Sequence, residues 1–284
     1  MRVHNWQQGT ASCGAKLAVV WNPPEDLFIH EPGIEVAFNM GAGVDALFKL
    51  PGRPANLQIV RVEDAGMAVQ MAEYVVHYLV RAARSFDQYA VQQHVGSWAR
   101  LPDIDRSAWS VGVLGAGIMG ARVASAVAAL DYPVAVWSRR GHELPGIEVY
   151  AGRDRLPEFL ARSRVLVNVL PLTPETQGIL RRDTLSQLLP DAYLINIARG
   201  GHLVEDDLLQ LLADGRLCGA ALDVFAEEPL PEGHPFWSHP KVSVTPHIAA
   251  ASLLSETIAQ ITGKIRAYAR GEALSGVVDP VLRY

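Results

Sequence analysis

Gly115-Ala116-Gly117-Ile118-Met119-Gly120 reads G-x-G-x-x-G, and no other stretch constrains this chain as much. It follows an apolar run, Val111 to Leu114, and opens a run from Ile118 to Leu130 with helical character. In that context each glycine has a task. The first allows a tight turn, the second lets backbone approach a pyrophosphate, and the third lets helix and strand pack closely. The helix N-terminus then offers free N–H groups and a favourable dipole to the phosphates. A dinucleotide-binding loop is therefore predicted, with Gly115, Gly117, Ile118 and Met119 against the cofactor.

Strand–helix alternation continues on the C-terminal side. Val134 to Trp137, Arg164 to Leu170, Ala192 to Ile197, Gly219 to Phe225 and Val242 to Thr245 read as strands. Glu205 to Asp214 and Leu253 to Arg270 read as helices. Uninterrupted apolar strands between helices predict an α/β fold, a doubly wound parallel sheet of Rossmann type covered on both faces. Before it, Leu17 to Trp21, Glu35 to Met40 and Leu57 to Val62 read as strands of a smaller α/β unit. Met67 to Gln93 lacks Pro and Gly and carries apolar residues at helical spacing, so one long helix is predicted there. The expected division gives residues 1–80 and 252–284 to a discontinuous substrate domain and 81–251 to the dinucleotide-binding domain.

The second strand bears on which dinucleotide binds. A site for NAD usually places an acid about 20 residues beyond the loop, where it accepts from the ribose 2′-hydroxyl. Here Val134 to Trp137 runs into Ser138-Arg139-Arg140, with no acid. A carboxylate repels a 2′-phosphate, whereas a guanidinium binds one. NADP(H) is the preferred cofactor on this reading, with NAD(H) second, and Ser138, Arg139 and Arg140 are the candidate contacts.

Three further segments follow predicted strands, where open α/β sheets place their ligands. They are Ile195-Asn196-Ile197-Ala198-Arg199-Gly200-Gly201, Asp223-Val224-Phe225-Ala226-Glu227-Glu228-Pro229-Leu230 and Thr245-Pro246-His247-Ile248-Ala249. Taken singly, Arg199 reads as a surface arginine at a turn, His247 as an ordinary partly buried histidine, and Glu228 as an equally ordinary residue. In this order and spacing, together with the glycine loop, they resemble the D-2-hydroxyacid dehydrogenase family. The resemblance runs from Gly41 to about Arg270. Gly41-Ala42-Gly43-Val44-Asp45 and Trp137-Ser138-Arg139 are similar to the NADPH-dependent glyoxylate/hydroxypyruvate reductase branch of that family.

The resemblance implies roles for single residues. His247 is the general acid that protonates the substrate carbonyl oxygen as hydride arrives, chemistry suited to a side chain that titrates near neutrality. Glu228 pairs with His247. Arg199 binds the carboxylate of a 2-oxo acid and polarises its carbonyl. The backbone N–H groups of Ala42 and Gly43 hold the same carboxylate. Asp223 contacts the nicotinamide carboxamide, and Leu170, Pro171, Thr173 and Ala198 line the cofactor crevice. The implied fold is a Rossmann domain plus a flavodoxin-like substrate domain, and the implied assembly is a homodimer through the long helix. Family members usually begin with a strand–helix unit before the region matching Val3 to Trp21, so the smaller domain is expected to lack its first βα unit.

The implied activity is NADPH-dependent reduction of small 2-oxo acids such as glyoxylate or hydroxypyruvate. Two alternatives stay open: a dehydrogenase of another 2-hydroxy acid, and a non-catalytic dinucleotide-sensing protein on the same scaffold. Composition narrows the rest. With 30 acidic against 25 basic residues, the net charge of -5 disfavours an extended nucleic-acid surface. Two cysteines, Cys13 and Cys218, make no disulfide framework and point to a reducing compartment. No run approaches the ~18 apolar residues of a membrane span, and Met1 to Thr10 is polar, so a cytoplasmic protein is expected. His234, His239 and His247 have no cysteine or acid at ligand spacing, and no metal site is predicted.

Overall fold

The computed structural model describes residues 2–141 and 143–284. They form two compact units, residues 1–66 with 252–284, and residues 67–251.

In the first unit β1 (Leu17–Val20), β2 (Val36–Asn39) and β3 (Gln58–Arg61) form a parallel sheet in the order β1-β2-β3. The short α1 (Leu27–His30) follows β1. Phe28 and Phe38 are fully buried with Ile34, Leu47, Ile59 and Val278 close to them in burial. A buried side chain of this size contributes about 1.5–3 kcal/mol. The C-terminal tail returns along β3, where Arg61 N–H donates to Gly276 and Val278 N–H to Ile59.

Glu31, 1% exposed, ties the segment before β1 to this unit. It accepts from the Cys13 N–H (2.6 Å), the Ser12 hydroxyl (3.0 Å) and the Ala15 N–H (3.3 Å). Burial pushes its carboxyl up, but the donations from Cys13, Ser12 and Ala15 outweigh burial and hold it below the ordinary range. A carboxylate whose folded pKa is depressed stabilises the fold above its unfolded value, and that contribution is lost as pH falls through the folded value. Glu31→Gln is therefore expected to cost about 1–3 kcal/mol at neutral pH. The difference from wild type should shrink in acid. Denaturant titrations at the two pH values check this, and an equal deficit at both would refute it.

The second unit is a seven-stranded parallel sheet. Its strands are β4 (Val111–Leu114), β5 (Val134–Ser138), β6 (Glu148–Ala151), β7 (Val165–Asn168), β8 (Ala192–Asn196), β9 (Leu217–Leu222) and β10 (Val242–Val244). The order is β10-β9-β8-β7-β4-β5-β6. It reverses at β4, the point where open α/β sheets leave a crevice for ligand. β4 and β7 are buried at every position, which is why their sequences show no alternation.

One long helix over Met67 to Gln93 does not form. Instead α2 (Met67–Ala83) and α3 (Phe86–His94) are separated at Ser85, which adopts a left-handed backbone (φ 52°) and ends the first helix. α2 presses Val75, Tyr78 and Leu79 against Val123, Ala124 and Val127 of α4 (Ile118–Ala128). That packing assigns α2 wholly to the second unit, so the division falls after Gly66 instead of after residue 80. α3 buries none of its side chains. The remaining helices are α5 (Leu156–Ala161), α6 (Arg182–Leu185), α7 (Glu205–Ala213) and, in the first unit, α8 (Leu254–Ala269). No helix among the described residues is long and apolar enough to cross a membrane.

Candidate active site

The glycine loop joins β4 to α4. Gly115 sits at φ 117°, a conformation that side chains avoid. A Cβ on Gly120 would lie 1.8 Å from the Gly115 carbonyl oxygen, so only glycine lets α4 start this close to β4. Nothing lies within 4 Å of where a Gly117 Cβ would stand, and Gly117 caps α4 without a side-chain bond. The N-terminal N–H groups of α4 are therefore not filled by the cap residue. This arrangement fits a pyrophosphate.

At the end of β5, Ser138 Oγ accepts from the Gly141 N–H (3.1 Å). Arg139 Nη1 donates to Glu175 Oε2 at 3.0 Å, and Arg140 is exposed. Arg153 Nη2 lies 3.2 Å from the same Glu175 oxygen. The turn carries two arginines and no acid of its own.

Two asparagines at the ends of neighbouring strands hold the next two loops together. Asn168 ends β7 and Asn196 ends β8, and both are fully buried. Asn168 Nδ2 donates to Asn196 Oδ1 at 3.0 Å. The Leu170 N–H donates to Asn168 Oδ1 (3.2 Å), the Ala198 N–H donates to Asn196 Oδ1 (3.3 Å), and Asn196 Nδ2 donates to the Arg199 carbonyl (3.2 Å). The loop Leu170–Thr173 and the loop Ala198–Arg199 are thus rooted in one amide pair. In the first of them Thr176 Oγ1 donates to the Pro171 carbonyl (2.7 Å) and accepts from the Thr173 N–H (2.9 Å). His202 is fully buried beside them, with its ring nitrogens 3.2 Å from the Arg199 and Pro171 carbonyl oxygens.

Arg199 is half-buried, and its Nη1 donates to the Ala198 carbonyl at 2.7 Å. Gly200 follows it against the chain beyond β9. A Cβ there would lie 1.8 Å from the Phe225 carbonyl carbon and 2.4 Å from the Ala226 nitrogen. The strand-end loops after β8 and β9 therefore touch through backbone.

Beyond β9 and β10 the structure brings Glu228 and His247 into contact. His247 Nδ1 stands 2.8 Å from Glu228 Oε2, and Glu228 Oε1 accepts from the Phe225 N–H at 2.9 Å. With Nδ1 engaged by the carboxylate, Nε2 is left for a reacting group. His247 has φ 54°, unusual for a residue with a side chain. Asp223, 1% exposed, holds the loop around it. The His247 N–H donates to the Asp223 carbonyl (2.8 Å). The Asp223 carboxylate accepts from Thr245 Oγ1 (2.6 Å) and from the Ile248 and Ala249 N–H groups (both 2.8 Å). Tyr74 of α2 lies 2.8 Å from Thr245 Oγ1, whose proton is already given to Asp223, so Tyr74 is the donor. Burial pushes the Tyr74 phenol up and keeps that proton in place.

Ala42 and Gly43 lie in the first unit, after β2. Asn39 Nδ2 donates to the Gly41 (2.9 Å) and Gly43 (2.8 Å) carbonyls, and Arg61 donates to the Ala42 carbonyl (3.3 Å). These bonds fix the turn through its carbonyl side. Among the described residues no group of three His, Cys, Asp or Glu is disposed to hold a metal ion. His234 Nδ1 accepts from the Phe236 N–H, and its Nε2 faces Glu205 at 3.3 Å.

Sequence reasoning missed Asn168, Asn196, His202, Thr245 and Tyr74. The asparagines had one visible signal, a polar amide closing each of two otherwise apolar strands. Thr245 stands in a segment singled out for His247, and the partners of His202 and Tyr74 include chain remote in sequence, Pro171 and Thr245.

A parallel sheet with a glycine loop at its switch point, an arginine-bearing turn and a His–Glu pair at the strand ends defines a dinucleotide-dependent oxidoreductase. Comparison with known proteins agrees. The model of the D-isomer specific 2-hydroxyacid dehydrogenase NAD binding domain matches residues 76–249. Glyoxylate/hydroxypyruvate reductase A of Serratia proteamaculans is 43% identical over 288 residues, covering 100% of this chain and 92% of that protein. The corresponding protein of Photorhabdus laumondii is 44% identical, again over 100% and 92%. Among solved structures, the NADPH-dependent glyoxylate/hydroxypyruvate reductase of Sinorhizobium meliloti in complex with NADP and sulfate superposes with a TM-score of 0.92. It is 36% identical, over 98% of this chain and 89% of that one. The chain belongs to the D-isomer specific 2-hydroxyacid dehydrogenase family, as an NAD(P)-dependent enzyme.

Proposed function

We propose that this enzyme uses NADPH to reduce small 2-oxo acids of the glyoxylate and hydroxypyruvate type to 2-hydroxy acids. The observation that carries the reading is the 2.8 Å pair of His247 and Glu228, held by backbone on both sides at the strand ends of a dinucleotide-binding sheet. When bound, the dihydronicotinamide supplies a hydride to the carbonyl carbon of the substrate. His247 delivers a proton from Nε2 to the carbonyl oxygen, so the carbonyl becomes an alcohol with charge balanced. Glu228 orients the ring through Nδ1. Arg199 binds the substrate carboxylate and draws electron density from the adjacent carbonyl. Ala42 and Gly43, in the first unit, offer backbone N–H groups suited to a carboxylate.

NADP(H) is preferred because Ser138, Arg139 and Arg140 replace the acid that would select the unphosphorylated ribose. The solved relatives that carry NADP or NADPH support the same choice. Leu170, Pro171, Thr173 and Ala198 line the cofactor side. Asp223 reaches the carboxamide while anchoring the His247 loop.

Cofactor oxidation measured with glyoxylate, hydroxypyruvate and phenylpyruvate tests the reading. The expected result is turnover of the first two with NADPH and slower turnover with NADH. Phenylpyruvate alone would indicate another 2-hydroxy acid, and no oxidation with any of them would indicate a sensor.

A homodimer completes the proposal. α3 buries no side chain, and Val91 (65%), Val95 (72%) and Trp98 (99%) are exposed on and just beyond it, a surface suited to a second copy. A sedimentation mass near the chain's own 30.9 kDa would reject this.

A further inference from the structure

Two arginines share one carboxylate oxygen at the edge of the large sheet. β6 pairs with β5 so that Ala151 lies opposite Ser138. The Gly152 N–H donates to the Ser138 carbonyl at 3.0 Å. Arg153 is therefore held beside the Ser138-Arg139-Arg140 turn by main chain, although it lies fourteen residues beyond Arg139. Arg139 Nη1 and Arg153 Nη2 approach Glu175 Oε2 at 3.0 and 3.2 Å. Glu175 comes from the loop that follows β7, on the other side of β4. Donation from Arg139, followed by the field of Arg153, holds its carboxyl below the ordinary range.

We propose that Arg153 is a further arginine for the cofactor 2′-phosphate, and that Glu175 sets cofactor choice by competing with that phosphate for Arg139 and Arg153. The inference rests on the NADP(H) preference proposed above.

Charge and geometry carry the argument. Two guanidiniums against one carboxylate leave a net positive charge, and the exposed Arg140 adds to it. A phosphate dianion offers more charge and more acceptor oxygens than a carboxylate, and planar guanidiniums bind it in bidentate fashion. The arginines already straddle a single anionic oxygen, the arrangement in which one phosphate can meet both. Glu175 is 49% and Arg153 68% exposed, with Arg139 at 30%, and ion pairs open to solvent in this way are weak and easily exchanged. A cofactor without the phosphate has nothing to offer Arg153, so the two carboxylate contacts persist and selectivity follows.

The test measures binding of 2′,5′-ADP and of 5′-AMP to the whole protein by calorimetry, alongside KM for NADPH and NADH. Arg153→Ala is expected to weaken 2′,5′-ADP about tenfold, the loss of one charge-assisted contact. It should leave 5′-AMP binding and the KM for NADH unchanged, which also shows the variant folded. Arg153→Lys should recover part of the loss. Glu175→Gln should tighten 2′,5′-ADP and lower the KM for NADPH only. Unchanged 2′,5′-ADP binding in Arg153→Ala overturns the proposal. Equal weakening of both nucleotides overturns it too, because that marks a merely structural role. Wild-type protein that binds 5′-AMP as well as 2′,5′-ADP overturns the NADP(H) preference itself, and the inference falls with it.

Discussion

His247→Ala is expected to lower kcat for 2-oxo acid reduction by about 100- to 10,000-fold, the usual contribution of a positioned general acid. Glu228 meets the ring at 2.8 Å, and the far nitrogen of the ring is the proton source in the proposed reaction. Nucleotide binding should survive, because the glycine loop and the β5 turn lie elsewhere on the sheet. His247→Asn is the companion variant. The residue sits at φ 54°, a conformation that asparagine tolerates better than alanine, so backbone relaxation can be separated from lost chemistry. Both variants should bind nucleotide as the wild type does, read by protein fluorescence, while turnover collapses. Near-wild-type turnover in either would end the assignment of His247.

Gly200→Ala adds one methyl group and is expected to damage both stability and turnover. Its Cβ would fall 1.8 Å from the Phe225 carbonyl carbon and 1.9 Å from its oxygen. These are backbone atoms that cannot swing aside as a flexible side chain does. Overpacking of this kind costs about 1–3 kcal/mol, sometimes more, and each kcal/mol lowers Tm by roughly 2–4 °C in a domain of this size. Arg199 precedes the clash and Glu228 follows it closely in the other loop. Relief by separation therefore moves the proposed carboxylate-binding and proton-donating groups apart, and a displacement of about 1 Å can cost on the order of 100-fold in rate. Thermal unfolding and steady-state kinetics check both parts. An unaltered Tm together with an unaltered kcat would show that the loops do not meet as described.

What sequence discloses about this molecule depends on how local the physics is. The glycine loop was legible because backbone conformation and close approach restrict residue type within six positions. The central strands were legible because burial on both faces demands unbroken apolar runs such as Val165 to Val167. β6 was not foreseen, since it lies at the sheet edge and buries only Tyr150 fully. The break at Ser85 carried no Gly or Pro to mark it, and the helical pattern runs straight across. The pairing of Glu228 with His247 spans nineteen residues and came from family resemblance, not from any spacing rule. Asp223 illustrates a further limit. Its place after a strand is visible in the sequence, but its carboxylate accepts from Thr245, Ile248 and Ala249, an anchoring task set by the folded loops.

The joined amides of Asn168 and Asn196 have a consequence for how such an enzyme can change. One strand-end loop faces the proposed nucleotide and its neighbour carries the proposed substrate arginine, yet both grow from a single buried hinge. An exchange at either asparagine is expected to disturb both loops at once, so the hold on the nucleotide and the hold on the substrate are expected to weaken together.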